Sequence, residues 1–186
     1  MKKAMAGSAG RSAGKSACLD RRVSFALRDC SLGLALIGSS AGGLCALMLG
    51  DDREALLRAA RARFPDVETG EGGAEFERVA GLALELIERP GQGWFQPLDI
   101  EGTPFQRRVW KALREIPPGS TTSYAQIAER IGQPRAARAV AGACAANRIA
   151  VAIPCHRVVR GDGDLSGYRW GVARKQRLLA TERRRP

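Results

Sequence analysis

The sequence predicts an α+β chain in two lobes, a sheet-bearing one over 23–97 and a mainly helical one over 98–186, behind a disordered basic tail over 1–22. Three observations carry this. Val23 to Arg28, Leu32 to Gly38 and Leu44 to Leu49 alternate or run apolar between turn residues, as an antiparallel sheet with one buried face requires. From Asp51 onward, apolar residues recur at helical spacing behind capping signals. Charge is divided the same way: residues 1–22 hold six Lys/Arg against one acid, 23–102 seven against thirteen, and 103–186 seventeen against five. At 186 residues the chain can bury one good core or two small lobes that share an interface.

In order along the chain, Met1 to Arg22 starts with Lys2 and Lys3, but no apolar run of signal-peptide length follows. Its Ala, Gly, Ser and basic residues predict a tail that touches phosphates non-specifically. Leu32 to Leu49 is apolar but is broken by Gly38-Ser39-Ser40-Ala41-Gly42-Gly43, which predicts a hairpin turn rather than a membrane span. Asp51 is the expected cap of a helix running to about Phe64-Pro65, with Glu54 reaching back. Phe76, Val79, Ala83, Leu86 and Ile87 predict a second helix over 73–88. Arg89 to Gly93 reads as a linker, and Gln96 to Ile100 as an extended segment.

The second lobe has sharper punctuation. Thr103-Pro104-Phe105-Gln106 joins a Thr cap, a first-turn Pro and a capping-box Gln, and Phe105, Val109, Trp110 and Leu113 form the apolar face behind it. Pro117-Pro118-Gly119 stops that helix. Ser123 and Gln126 make another capping box, Gly132 ends the helix it starts, and Pro134 opens a further one over Arg135 to about Ala146. The pair reads as a helix-turn-helix, which serves packing as often as DNA. Its second helix is almost entirely Ala and Gly, with Arg135 and Arg138 at its start. A helix without bulky side chains approaches a narrow groove closely and has few groups for reading base edges, so contact is expected to be led by shape.

Composition narrows the chemistry. The net charge of +11, concentrated in the second lobe, points to a polyanionic partner. Cys18, Cys30, Cys45, Cys144 and Cys155 show no CxxC spacing, and their odd number suggests a reducing compartment, the cytoplasm. Cys30 and Cys45 read as buried or partly buried strand residues. With a single histidine in the chain, no metal site is expected. No nucleotide loop or dinucleotide fingerprint is present, so no cofactor is expected either.

That histidine, His156, follows Cys155 in Ile153-Pro154-Cys155-His156-Arg157-Val158-Val159. A thiol becomes a good nucleophile near neutral pH when a base or cation lies beside it. Taken alone, Cys-His adjacency more often marks two buried core residues. The flanks add weight: Asn147 lies eight residues upstream, Ile149 to Ile153 is apolar, and Gly161-Asp162-Gly163 is a turn.

Pro154-Cys155-His156-Arg157-Val158-Val159, followed by Arg160-Gly161-Asp162-Gly163 and Ser166-Gly167-Tyr168-Arg169-Trp170-Gly171, resembles the active-site region of O6-alkylguanine-DNA alkyltransferases, above all the C-terminal half of bacterial Ada-type proteins. The likeness runs from about Phe25 to Glu182 and is densest from Leu98 onward. It implies an RNase H-like first lobe with a structural role and a second lobe that binds double-stranded DNA through the minor groove, with little sequence preference. Cys155 is then the nucleophile, His156 its base through a water, Glu182 the orienter of the imidazole, Tyr124 a donor to guanine N3, and Asn147 the tie between the recognition helix and the active-site turn. Arg138 is the finger that fills the vacated stack, and the DNA-facing set includes Arg135, Ala136 and Ala137, with Thr121, Ser123 and Tyr124. Tyr168 and Trp170 wall the alkyl pocket, while backbone groups of Val158 and Arg169 read the guanine edge.

The implied reaction is one irreversible alkyl transfer from O6-alkylguanine, and from O4-alkylthymine, to Cys155 after base flipping. No obligate protein partner is implied. Residues 1–22 are too short for the upstream zinc and regulator modules of full Ada-type proteins, so repair without the self-methylating transcriptional switch is expected. The alternative is a non-catalytic alkyl-lesion sensor of the same fold, although such relatives replace the nucleophile. A Cys-His hydrolase would leave the basic Ala-rich helix pair unexplained.

Overall fold

The computed structural model describes residues 23–65, 72–165 and 167–184. The basic tail expected over 1–22 lies outside the described residues. Strands β1 (Val23–Cys30), β2 (Gly33–Ser40) and β3 (Gly43–Gly50) form an antiparallel sheet in the order β1-β2-β3, with Val23 opposite Ser40 and Leu34 opposite Gly50. Each strand is longer than its apolar run predicted. The turn expected over Gly38 to Gly43 contracts to Ala41-Gly42, because Gly38 and the serines after it belong to β2. Gly38 is a packing glycine: the Phe25 ring occupies the place of its missing Cβ. Gly43 does the turning, at φ +112, with the Pro97 carbonyl against the position a side chain would take.

Ala35, Leu36 and Ile37 are all fully buried, so both faces of β2 are covered and the expectation of one buried face does not hold. Helices α1 (Arg53–Arg61) and α2 (Ala74–Glu88) pack on the sheet. Asp52, not Asp51, caps α1 and accepts from the Glu54 and Ala55 amides at 2.8 and 3.1 Å. Asp51 is drawn away by Arg174, whose guanidinium lies 2.5 Å from its carboxylate. The helix ends at Arg61, short of Phe64-Pro65. The stretch read as a linker carries a 3-10 turn, Pro90–Gln92, with Pro90 buried.

The outer edge of β3 is occupied by two later segments. Leu44 bonds to Pro97 and Asp99 at 3.2 and 2.9 Å, and Leu47 bonds to Arg148 and Ala150, each at 2.8 Å. These bridges use the unpaired edge groups and fix the segment before Cys155 against the sheet.

Helix α3 (Pro104–Arg114) carries both halves of its capping box, at 3.2 and 2.9 Å. Its buried Val109, Trp110 and Leu113 face inward, and Trp110 Nε1 donates to the Ala143 carbonyl at 2.9 Å. Strand β4 (Thr122–Ser123) leads into α4 (Tyr124–Arg130), whose Ser123/Gln126 capping box is also complete. Helix α5 runs Ala137–Ala145, two residues shorter at its start than expected: Pro134 and Arg135 form a turn closed by the Ala136 amide on the Gln133 carbonyl. A 3-10 turn, Cys155–Arg157, leads to β5 (Val158–Val159), which pairs in parallel with β4, and α6 (Val172–Arg183) closes the described fold. No described helix is long and apolar enough to cross a membrane.

Candidate active site

The stretch Val151 to Val159 is buried throughout, which is unusual for a segment with little regular structure. Its backbone groups are satisfied by tight local turns: Ala152 N to Ala150 O at 2.7 Å, Cys155 N to Ile153 O at 2.8 Å, and Arg157 N to Pro154 O at 3.0 Å. Val151 has φ +64, a left-handed conformation that a β-branched residue adopts only under constraint. The β3 edge holds the chain just before it, through Arg148 and Ala150 on the two sides of Ile149.

Asn147, just past α5, secures the turn from within. Its Nδ2 donates to Ile153 O at 2.9 Å and approaches Cys155 Sγ at 3.2 Å, while its Oδ1 accepts from the Ile149 amide at 2.9 Å. Cys155 is only 4% exposed, and burial pushes its thiol pKa up; the Asn147 hydrogen bond and the Lys175 charge pull the other way. The resting state is therefore the thiol, placed among groups that stabilise a thiolate once its proton has somewhere to go.

His156 is fully buried, and its Nε2 lies 2.9 Å from Glu182 Oε1. Burial lowers the imidazole pKa, against the opposing pull of Glu182. Burial alone would raise the Glu182 carboxyl, but hydrogen bonds from His156 and Arg157, with the Gly119 amide at 3.1 Å, bring it down to about 2. An ionised Glu182 accepts from Nε2–H, which fixes the neutral tautomer and leaves the Nδ1 lone pair open. Nδ1 has no hydrogen-bond partner among the described residues.

Two side chains at this site had no role in the sequence reading. Arg157, 4% exposed, grips Glu182 at 2.8 Å and donates to the Ile116 carbonyl at 2.6 Å. Lys175, fully buried on α6, donates to the Val158 carbonyl at 2.6 Å. A signal existed for Lys175: with Leu178, Leu179 and Glu182 it repeats at helical spacing, so an apolar stripe carries two charges. Arg157 gives no such signal, since its burial depends on partners far away in sequence.

The parallel pairing of Thr122 with Val158 and Ser123 with Val159 brings the start of α4 beside the strand that leaves Cys155. Tyr124 is thereby placed at an open cleft lined also by Ser123, Ala137, Arg138, Arg160 and Gly167. Gly167, at φ +78, leaves the space before the Tyr124 hydroxyl unfilled. Arg138 is exposed on the first turn of α5. Thr121, Arg135 and Ala136 do not line this cleft: Thr121 is exposed before β4, Arg135 lies in the turn before α5, and Ala136 is the α5 cap. Tyr168 and Trp170 are buried, and neither the Tyr168 hydroxyl nor Trp170 Nε1 has a partner among the described residues. Arg169 lies 5.0 Å over the Trp170 ring and donates to Ala145 O at 2.9 Å. The Val158 carbonyl, expected to face the base, already accepts from Lys175 and has one lone pair left.

The arrangement sets a buried thiol next to an imidazole with one open nitrogen, and a cleft lined by an arginine and a tyrosine lies across the β4–β5 pair. Residues 104–184 match the family described as 6-O-methylguanine DNA methyltransferase, DNA binding domain. The bifunctional transcriptional activator/DNA repair enzyme Ada of Escherichia coli K12 is 49% identical over 160 residues, 86% of this chain and 45% of that protein. The inducible methylated-DNA–protein-cysteine methyltransferase of Bacillus subtilis 168 is 41% identical over 131 residues, 70% of this chain and 73% of that one. The crystal structure of Mycobacterium tuberculosis O6-methylguanine methyltransferase superposes with TM-score 0.72 at 36% identity, covering 89% of this chain and 96% of that one. That of Mycobacterium tuberculosis OGT in complex with DNA gives 0.71 at 37%, covering 86% and 92%. The chain spans about half the length of several of the relatives it matches, 45% in the Ada proteins of Escherichia coli and Salmonella typhimurium.

Proposed function

The chain belongs to the methylated-DNA–protein-cysteine methyltransferase family, and from that premise we propose that it repairs DNA by moving the alkyl group of O6-alkylguanine, and of O4-alkylthymine, onto its own Cys155. The observation that carries this reading is the 2.9 Å contact between His156 Nε2 and Glu182, which leaves Nδ1 as the base for the neighbouring thiol.

The O6 substituent faces the major groove of a stacked duplex, so a buried sulfur reaches it only after the nucleotide is extruded. Helices α4 and α5 act as a helix-turn-helix, with the small side chains of α5 entering the minor groove and Ala136 and Ala137 against the backbone. Arg138 fills the vacated stack, and Arg135, Thr121 and Ser123 hold phosphates. The flipped base enters beside Tyr124 and Gly167, with Tyr168 and Trp170 walling its alkyl group and backbone groups of Val158 and Arg169 reading its edge.

His156 Nδ1 takes the Cys155 proton through one water, and the charge is stabilised by Glu182. Sulfur attacks the alkyl carbon in line, the S–C bond forms as the C–O6 bond breaks, and the electron pair returns to the ring. Tyr124 donates a hydrogen bond to N3 as this charge develops. The proton lost by the thiol balances the one gained by guanine N1. The product is a thioether with no easy hydrolytic route back, so each molecule acts once.

The chain divides into a structural RNase H-like lobe over 23–97 and the DNA-binding, alkyl-accepting lobe over 98–186. It works in the cytoplasm, where thiols such as Cys30, Cys45, Cys144 and Cys155 stay reduced. The test is lesion removal from an O6-methylguanine duplex at rising protein: restored guanine should plateau at one equivalent per protein and be absent for Cys155→Ala. Turnover beyond one equivalent would overturn the reading.

A further inference from the structure

We propose that the outward face of α3 forms a second nucleic-acid contact surface, a single-strand groove in which Phe95 stacks on a base and Arg107, Lys111 and Arg114 meet phosphates. Phe95 is 88% exposed, whereas Val172, the other exposed large apolar residue among those described, is 40% exposed. Beside Phe95 in the chain, Trp94, only 8% exposed, takes the inward position.

The ring borders a broad groove between the segment 91–100 and α3, with Val151, Ala152 and Pro154 on its floor. Arg107, Lys111 and Arg114 recur at helical spacing along one side of α3, covering about 10 Å of its length. All three are exposed. Among the described residues Arg107 spends only its Nε, on the Gly102 carbonyl, and Lys111 and Arg114 make no hydrogen bond or ion pair. Glu115 is the exposed acid of the groove, and Asp99 is engaged by the Ser40 hydroxyl.

The occupant follows from this chemistry. A row of cations attracts a polyanion, and a protruding ring beside it suits a base, since every base offers a π-face whatever the sequence. A duplex keeps its bases stacked and unavailable to Phe95, so a single strand fits better. The groove shares no lining residue with the cleft of Tyr124 and Arg138. The two also lie on different sides of α3, whose inward residues pack on α5. The surface is therefore separate from the alkyl-accepting site.

The test uses the full chain with a saturating short unmodified duplex, to fill the α5 side, and a fluorescent oligothymidylate bearing 5-iodouracil. Binding is read by anisotropy and contact by photocrosslinking, for wild type, Phe95→Ala and the double variant Lys111→Gln/Arg114→Gln. All three positions are exposed, and unchanged Tm and unchanged alkyl transfer from a short modified duplex confirm folding. Phe95→Ala should bind the oligothymidylate at least about fivefold more weakly. The double variant should reduce the slope of log K against log[salt] by about 1.4. Crosslinks should map to residues 91–114. Complete displacement of the oligothymidylate by the duplex, crosslinks confined to α5, or variants that lose only the binding of an acidic peptide would each overturn the proposal.

Discussion

His156 and Glu182, 26 positions apart in sequence, meet at 2.9 Å with both side chains fully buried. One imidazole nitrogen is committed to a carboxylate and the other is open. A buried ion-paired carboxylate also links this pair to fold stability.

Glu182→Gln should slow alkyl transfer about a hundredfold or more, because the amide neither fixes the tautomer as strongly nor stabilises imidazolium. The rate constant is read in single-turnover reactions with modified duplex. The carboxyl moves from its ordinary 4.5 to about 2 in the fold, so its stabilising contribution is complete above pH 4.5 and is lost as pH falls from 4.5 toward 2. His156, lowered by burial, adds a loss in the same direction below 6.5. The wild type should lose on the order of a few kcal/mol across the carboxyl window, a loss that Glu182→Gln lacks, as measured by denaturant titration at several pH values.

Asn147→Ala removes a donor to Cys155 Sγ and to the Ile153 carbonyl, which keeps only the Cys155 amide, and takes away the acceptor of the Ile149 amide. It should cost about 1 to 3 kcal/mol in urea unfolding and raise the pH at which Cys155 reacts with iodoacetamide. Lys175→Met, similar in length but uncharged, should raise that pH as well, because the lysine charge opposes the effect of burial on the thiol. A thiol profile unchanged in both variants would remove these two side chains from the account of thiolate stabilisation.

Arg138→Ala separates extrusion from chemistry. Transfer from a modified duplex should fall about tenfold or more, while reaction with the free alkylated base, which needs no extrusion, should match wild type. Equal losses on both substrates would place Arg138 in the chemical step instead.

Gly43→Ala tests the docking of later segments on the β3 edge. Position 43 combines φ +112 with close approach of the Pro97 carbonyl, so a methyl group strains the turn and pushes segment 97–99 from Leu44. A loss of about 2 to 4 kcal/mol is expected in chemical denaturation, with faster amide exchange at Asp99.

The elements set by local chemistry could be read in advance. Thr103 with Gln106 and Ser123 with Gln126 cap their helices as their spacing predicts, since a cap depends on residues three apart. Where a distant residue intervenes, the reading slips. Asp51 yields its cap to Asp52 because Arg174, from the far end of the chain, holds it. Gly38 looked like a turn residue, but it makes room for Phe25 on the neighbouring strand. At the candidate site, Cys155 and His156 stood out as an adjacent pair, and Glu182 came from resemblance alone. Arg157 was not legible, because its partners Glu182 and Ile116 lie 25 and 41 positions away and meet it only in the fold, whereas the place of Lys175 on the buried stripe of α6 could be read from its spacing but its partner, the Val158 carbonyl, could not.

The central claim is that Cys155 keeps the alkyl group. Its most direct test is intact mass spectrometry, followed by peptide mapping, of the protein after incubation with excess O6-methylguanine duplex, beside Cys155→Ala. The account predicts a gain of a single CH2 unit, located on Cys155, matched by restored guanine and absent from the variant. Lesion binding without a change in mass, or restored guanine with Cys155 unmodified, would contradict it.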